Sequence, residues 1–335
     1  MAQESVVVRV ARQFRDELAR NEDAALKRMA RSWLQMEDEL EREFLSLYAG
    51  VREVYDIGQP VPQQYIYTLN RYKKMIAQVQ RELPYYQATI EDLIEEYQRK
   101  DFILGLDSAN AIIQATDPSA EIWNRINKDA AEVMVGFAGN GAPLIQLLQT
   151  DYGALGASIT DALISGVTLG KGAYQTARDM RSAVESLTYT RSVRIARTEI
   201  NRAYRIANAE QYAASGVVTK VLRLCYPPTA CFACLEMDGE ECPNGICDDH
   251  PNGKCTTIVE TVGGVRPTWQ TGHEWLMEQS EEDQRRIMGV GRYEMWKKDG
   301  IPLRDMVKMQ PNPVWGGSPT IISERELRAK LEGLE

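Results

Sequence analysis

The sequence predicts a mainly α protein with a smaller α+β C-terminal part. Three observations predict it. Apolar residues step by three and four through most of residues 8–215, which is the helical period. Two runs rich in β-branched residues, 217–224 and 256–262, flank a segment crowded with cysteine. Beyond residue 266 the chain breaks into short helical stretches punctuated by Gly and Pro. These shifts divide the 335 residues into a helical domain over 1–150, a domain over 151–265 that carries the cysteine segment, and a short-helix tail over 266–335.

The first long helix is predicted from Val8 to Tyr48, with Ala11, Phe14, Leu18, Ala25, Met29, Trp33, Met36, Leu40, Phe44 and Leu47 on one face. Gly50 and Gly58-Gln-Pro60-Val-Pro62 interrupt it. A second stripe runs through Tyr65, Leu69, Tyr72, Ile76, Val79 and Leu83; Pro84 ends or kinks that helix, and Ile90, Leu93, Ile94 and Tyr97 carry the pattern beyond it. Such stripes serve either a partner coiled coil or packing within the chain. Asp117-Pro118-Ser119 reads as a turn opening a helix through Ile122, Trp123, Ile126, Ala130 and Met134. Residues 136–141 form a glycine-rich loop without the Lys-Ser/Thr ending of a phosphate-binding loop. The small residues of 153–174 permit close helix approach.

Residues 173–216 read as a helical hairpin with a break at 188–190 and a glycine cap at Gly216. Its second helix carries Arg191, Arg194, Arg197, Arg202 and Arg205, with Glu199 expected to be buried against an arginine. The row suits contact with DNA phosphates or an acidic partner; a solvated face with ion pairs to this acidic chain is the favoured reading. The two strands then place a long loop between paired neighbours. In the tail, Thr271–Gln279, the Ser280-capped stretch to Gly289, Arg292–Lys298 and the Ser323-capped end are predicted helices, and 302–307 a turn or short helix.

Five of the six cysteines and one of the two histidines lie between Cys231 and Cys255. Cys231-x2-Cys234 puts two thiolates on one turn, and His250-x4-Cys255 completes a four-ligand zinc set at structural spacing. Cys231, Cys234, Cys242 and Cys247 form an all-thiolate alternative; Cys225, at a strand end, is expected to be a buried bystander. Four protein ligands leave no position for an activated water, so the expected zinc is structural. His273 is expected to pack or cap.

No secretory leader is visible, because Val6-Val7-Val8 meets Arg9 at once. Without export, the cysteines are expected as thiols or metal ligands rather than disulfides. A net charge of −9 excludes a broadly basic nucleic-acid binder, so any such contact is local. No apolar run is long enough for a membrane span.

Three stretches together resemble the phage head morphogenesis family, the Mu F-like minor head proteins, over about residues 155–331. They are Arg194-Ile-Ala-Arg-Thr-Glu-Ile200 with Ala203, Ala207, Tyr212 and Gly216-Val217; Cys231-x2-Cys234 with Asp238-Gly239, closed by His250-Pro251; and Trp275-Leu276, Gln284–Gly289, Arg292, Trp296 and Gly300 before Leu303. Where the family commonly ends its segment His-Pro-x-Cys-Arg-Cys, this chain has Gly253 for a cysteine and Lys254 for the arginine, with Cys242 or Cys247 as candidates to compensate. The resemblance implies a minor capsid component, in the virion and in the host cytoplasm during assembly. Its implied partners are the portal protein, major capsid or scaffolding proteins, and packaged DNA. No small-molecule substrate is expected. The chain has no nucleophile with its base and is expected not to be an enzyme; a DNA-binding protein and a nuclease-like effector are the alternatives.

Overall fold

The computed structural model describes residues 4–120, 126, 128–149 and 152–331. The architecture is mainly helical with short antiparallel strands in the C-terminal part, as the periodicity predicts. Helix α1 spans Val6–Arg52, α2 Gln63–Thr68 and α3 Asn70–Thr116. The predicted α1 face is buried from Ala11 to Leu47, apart from the half-buried Phe14. The second stripe is broken earlier than expected, because Leu69 is extended between α2 and α3. Pro84 neither ends the helix nor lies in the core: α3 runs through it, with the ring on the exposed face. The expected helix after Asp117 falls partly on 121–125 and 127, outside the described residues; Lys128–Val133 beyond it forms a 3-10 turn.

The chain then forms α4 (Leu144–Leu148), α5 (Tyr152–Thr168), α6 (Ala173–Leu187) and α7 (Tyr189–Ser215). Gly166 of α5 lies where any Cβ would strike Thr176 of α6, which is the close approach expected of this small-residue stretch. Gly216 ends α7 at φ 71°, a left-handed cap that only glycine adopts without strain. Strand β1 (Val218–Leu224) pairs antiparallel with β2 (Thr256–Thr261), Leu224 opposite Thr256. The cysteine segment is therefore the connection between two hydrogen-bonded strands, as predicted. It contains the short α8 (Phe232–Glu236).

The tail holds α9 (Gly272–Met277), α10 (Glu281–Met288), α11 (Val290–Asp299) and α12 (Glu324–Leu331). Ser280 caps α10 by accepting from the Asp283 N–H, and Ser323 accepts from the Glu326 N–H at the start of α12. Between α11 and α12 lies a hairpin that sequence patterning misses, β3 (Val307–Asn312) with β4 (Gly316–Ile321). Pro311, Pro319 and the Gly316-Gly317 pair hide it. In a two-stranded ribbon both strands are edges, so prolines cost no internal ladder bond.

The described chain forms two compact units, each discontinuous in sequence: Met1–Glu22, Tyr97–Ala142 and Arg197–Glu335 make one, Asp23–Glu96 and Pro143–Ala196 the other. These differ from the linear division 1–150, 151–265 and 266–335, because α1, α3 and α7 each contribute residues to both. Among its described residues the second unit has helices and no strands, with Trp33 packed edge-on against Tyr86 at a centroid distance of 5.5 Å. In the first unit, one core joins α1, α3 and Tyr212 to β1 and β2, most of whose residues are buried, on both faces. Another gathers α8 with Leu276, Met288, Tyr293, Met295, Leu303, Met306 and Leu327 of the tail. Among the described residues, no helix is long and apolar enough to cross a membrane.

Candidate metal centre

Cys231 is the extended residue before α8 and Cys234 sits in its first turn, with the Leu235 N–H bonded to the Cys231 carbonyl at 3.0 Å. One helical turn thus aims both sulfurs the same way. The other arm is a tight turn in which the Gly253 N–H donates to the His250 carbonyl at 2.7 Å and Asn252 is left-handed at φ 64°. The turn is pinned from two sides: the Asn252 N–H donates to Thr198 Oγ1 of α7 at 3.2 Å, and Arg15 of α1 donates to the Lys254 carbonyl at 3.0 Å.

His250 Nε2 lies 3.3 Å from Cys231 Sγ and 3.3 Å from Cys234 Sγ. Adjacent donors around tetrahedral zinc are about 3.6 Å apart, given the usual Zn–S and Zn–N lengths. Its Nδ1 is 2.9 Å from the Pro251 carbonyl, an arrangement in which Nδ1–H donates and leaves Nε2 as the ligand atom. Cys234 Sγ belongs to a second set with Cys255 Sγ and an Asp249 carboxylate oxygen, mutually within 4.8 Å. All four predicted ligands line one cavity of about 140 Å³. They form a cluster able to hold a metal ion. The Cys231 thiol is drawn down to about 4, first by the hydrogen bond with Cys234 and next by His250. His250 is raised to about 9, chiefly by its bond with Cys231.

The surroundings hold what the sequence did not announce. Asp249 has a fully buried side chain that accepts from the His250 N–H at 2.9 Å and the Cys255 N–H at 3.2 Å. Arg205 Nη1 and Arg223 Nη1 face its carboxylate at 3.6 and 3.8 Å. Burial pulls the Arg205 guanidinium down; for Arg223, Cys255, Asp249 and Cys234 together outweigh the same burial and raise it. A zinc ion with three thiolates and a neutral imidazole carries one negative charge. Asp249 adds a second, and the two arginines cancel both. The donor set therefore fits zinc in charge and in ligand type, and no buried guanidinium is left uncompensated. Gly253 has a structural reason as well: a Cβ there would collide with the Asp249 carboxylate. The signals available were a charged Arg223 within an apolar strand and an aspartate directly before His250.

Cys242 and Cys247 are not ligands. They are joined to each other as a disulfide with a Cα–Cα distance of 4.8 Å, which corrects both the all-thiolate alternative and the expectation of reduced cysteines throughout. Spacing could not reveal it, because the chain between them turns back through a 3-10 turn at Pro243–Gly245. Cys225 is free and buried, as expected, and burial raises its thiol. Its backbone N–H donates to Asp238, which also accepts from Trp269 Nε1 and the Gly272 N–H, tying the cysteine segment to the tail.

The arginine row is largely consumed inside the fold. Arg197 pairs with Glu22 at 3.0 Å; Arg202 pairs with Glu199 at 2.7 Å and donates to the Phe137 carbonyl; Arg205 faces Asp249. Arg191 and Arg194 are exposed and lie in the other compact unit. The five do not form one free face. Glu199 is fully buried and paired with an arginine, as expected, and also accepts from Trp315 Nε1 at 2.6 Å. His273 pairs with Glu236 at 3.0 Å. Comparisons with protein-family models, curated proteins and solved structures return no match for this chain.

Proposed function

We propose that this chain is a phage minor capsid protein of the head morphogenesis type, knit by a structural zinc ion on Cys231, Cys234, His250 and Cys255. The observation that carries the reading is the convergence of those four side chains, all from the connection between β1 and β2, on one cavity, in a chain where β1 directly follows the arginine-bearing helix α7. That is the order of elements in which the resemblance to Mu F-like minor head proteins lies. Three thiolates with one imidazole select zinc over harder cations, and four protein ligands close its coordination sphere. The ion's part is then to tie the α8 turn to the 250–255 turn, contributing on the order of 10 kcal/mol to folding this segment. Asp249, Arg205 and Arg223 hold the ligands' backbone and balance their charge.

In this reading the long helices dock on the portal vertex or on capsid and scaffolding proteins, within the virion and, during assembly, in the host cytoplasm. The engagement of Arg197, Arg202 and Arg205 in internal pairs argues against α7 as a DNA-reading helix. Purified heads analysed by mass spectrometry, together with a pull-down on the portal ring, test the assignment. Presence in heads at low copy number with portal binding is expected. A chain absent from intact heads and without affinity for the portal is something else.

A further inference from the structure

The disulfide sits where it can govern the metal arm. On one side of it, the 239–242 segment lies along β1: the Gly239 N–H donates to the Arg223 carbonyl at 2.9 Å and the Cys242 N–H to the Val221 carbonyl at 2.8 Å. On the other side, Cys247 leads straight into Asp248, Asp249 and His250. Asp248 accepts through its carbonyl from Arg223 and through its carboxylate from the Gly317 N–H at 2.9 Å. The bond therefore ties β1 to the stretch that delivers Asp249 and His250. Both cysteines are buried at 5% and 3% exposure, yet an open cavity of about 320 Å³, lined by both of them with Glu240, Glu241 and Met309, gives a small reagent a way in. The other four cysteines are free.

We propose that Cys242 and Cys247 form a reversible redox clasp, open in reducing surroundings and closed by a small-molecule disulfide such as oxidised glutathione once the protein leaves them. One thiolate attacks the small disulfide and releases one small thiol. The second cysteine then displaces the other, so two protein thiols and one disulfide become one protein disulfide and two small thiols. Closure restrains residues 248–255 and thereby steadies the zinc arm. The timing rests on the virion reading, since a particle assembled in a reducing cytoplasm is released into oxidising surroundings.

The experiment begins with full-length protein purified under reductant, then treated with oxidised glutathione. Thiols are counted in denaturant with chelator, the pairing is mapped by peptide mass, and amide exchange of 248–255 is followed in both forms. The expected count falls from the six cysteines of the sequence to the four that are free, with the pair mapped to Cys242–Cys247. Exchange at 248–255 slows by up to about 40-fold, the restriction that closing so short a ring imposes. The double variant Cys242→Ser/Cys247→Ser keeps the faster exchange whatever the oxidant. A count that stays at six, a pairing of Cys231 with Cys234 instead, or exchange that is the same in both forms overturns the clasp. Metal content, measured separately, reports on the zinc reading: protein without zinc that still closes and slows at 248–255 keeps the clasp and loses the zinc.

Discussion

Replacing Asp249 by asparagine keeps the shape of the side chain and removes its charge, which isolates what the carboxylate does. Its two oxygens accept from two different backbone donors, His250 N–H and Cys255 N–H. Whichever way an amide is turned, one of those donors meets an NH2 group and loses its partner. Hydrogen bonds to a charged acceptor contribute about 1.5–3 kcal/mol each. The same change leaves Arg205 and Arg223, both buried, without the carboxylate they face; breaking a buried pair from one side costs about 3–5 kcal/mol. These terms overlap rather than add, so the expected loss is about 3–5 kcal/mol, a large part of the stability of an ordinary domain. Urea unfolding at pH 7 with saturating zinc measures it. Adding Arg205→Met to Asp249→Asn should recover part of the loss, giving a coupling of about 1–3 kcal/mol in a double-mutant cycle. A loss below about 1 kcal/mol, or strict additivity of the two changes, would refute the idea that these groups form one charge-balanced unit.

Three further outcomes rest on named contacts. Gly253→Ala drives a Cβ into the pinned Asp249 carboxylate and should cost about 1–3 kcal/mol with weaker metal retention, read by denaturant midpoint and chelator competition. Cys242→Ser/Cys247→Ser should lower stability by about 2 kcal/mol, the loop-closure entropy of so short a ring; an unchanged midpoint between oxidised wild type and variant speaks against a formed disulfide. Asp101 is fully buried, and burial above all pushes it from the ordinary 3.8 up to about 7, against the lowering effect of its hydrogen bond from Asn21. A folded pKa above the unfolded one means that this group's stability is fully present below pH 3.8 and is lost as pH rises through 7, by at most about 4 kcal/mol. Asp101→Asn should therefore flatten the stability profile between those pH values and stabilise the protein at pH 8, whereas a profile parallel to wild type contradicts this.

What the sequence made legible comes from local rules. The α1 face, the break before α7, the Gly216 cap and the caps at Ser280 and Ser323 depend on residues a few positions apart, so periodicity and capping chemistry find them; β1 and β2, which pair across the whole cysteine segment, show through their β-branched runs. Cys231 and Cys234 were legible for the same reason, since short spacing sets their geometry, and His250 was legible as a metal-ligand residue type ahead of Cys255. The missing parts are set by distant partners. Asp249 matters through Arg205 and Arg223, which lie on α7 and β1, and no local pattern links the three. Arg197 and Arg202 read as a basic face until Glu22 and the Phe137 carbonyl are brought beside them. The β3–β4 hairpin is masked by prolines that a two-stranded ribbon tolerates. The Cys242–Cys247 pair escapes because the compartment rule points to thiols and spacing does not show the 3-10 turn that brings the two together.

The central claim is that Cys231, Cys234, His250 and Cys255 hold zinc, and metal content tests it most directly. Full-length protein purified without chelator should carry about one zinc per chain by plasma mass spectrometry. Cys234→Ser should lose that zinc together with much of the thermal stability. A zinc-to-chain ratio near zero in the wild type, or a Cys234→Ser variant that melts like the wild type, contradicts it.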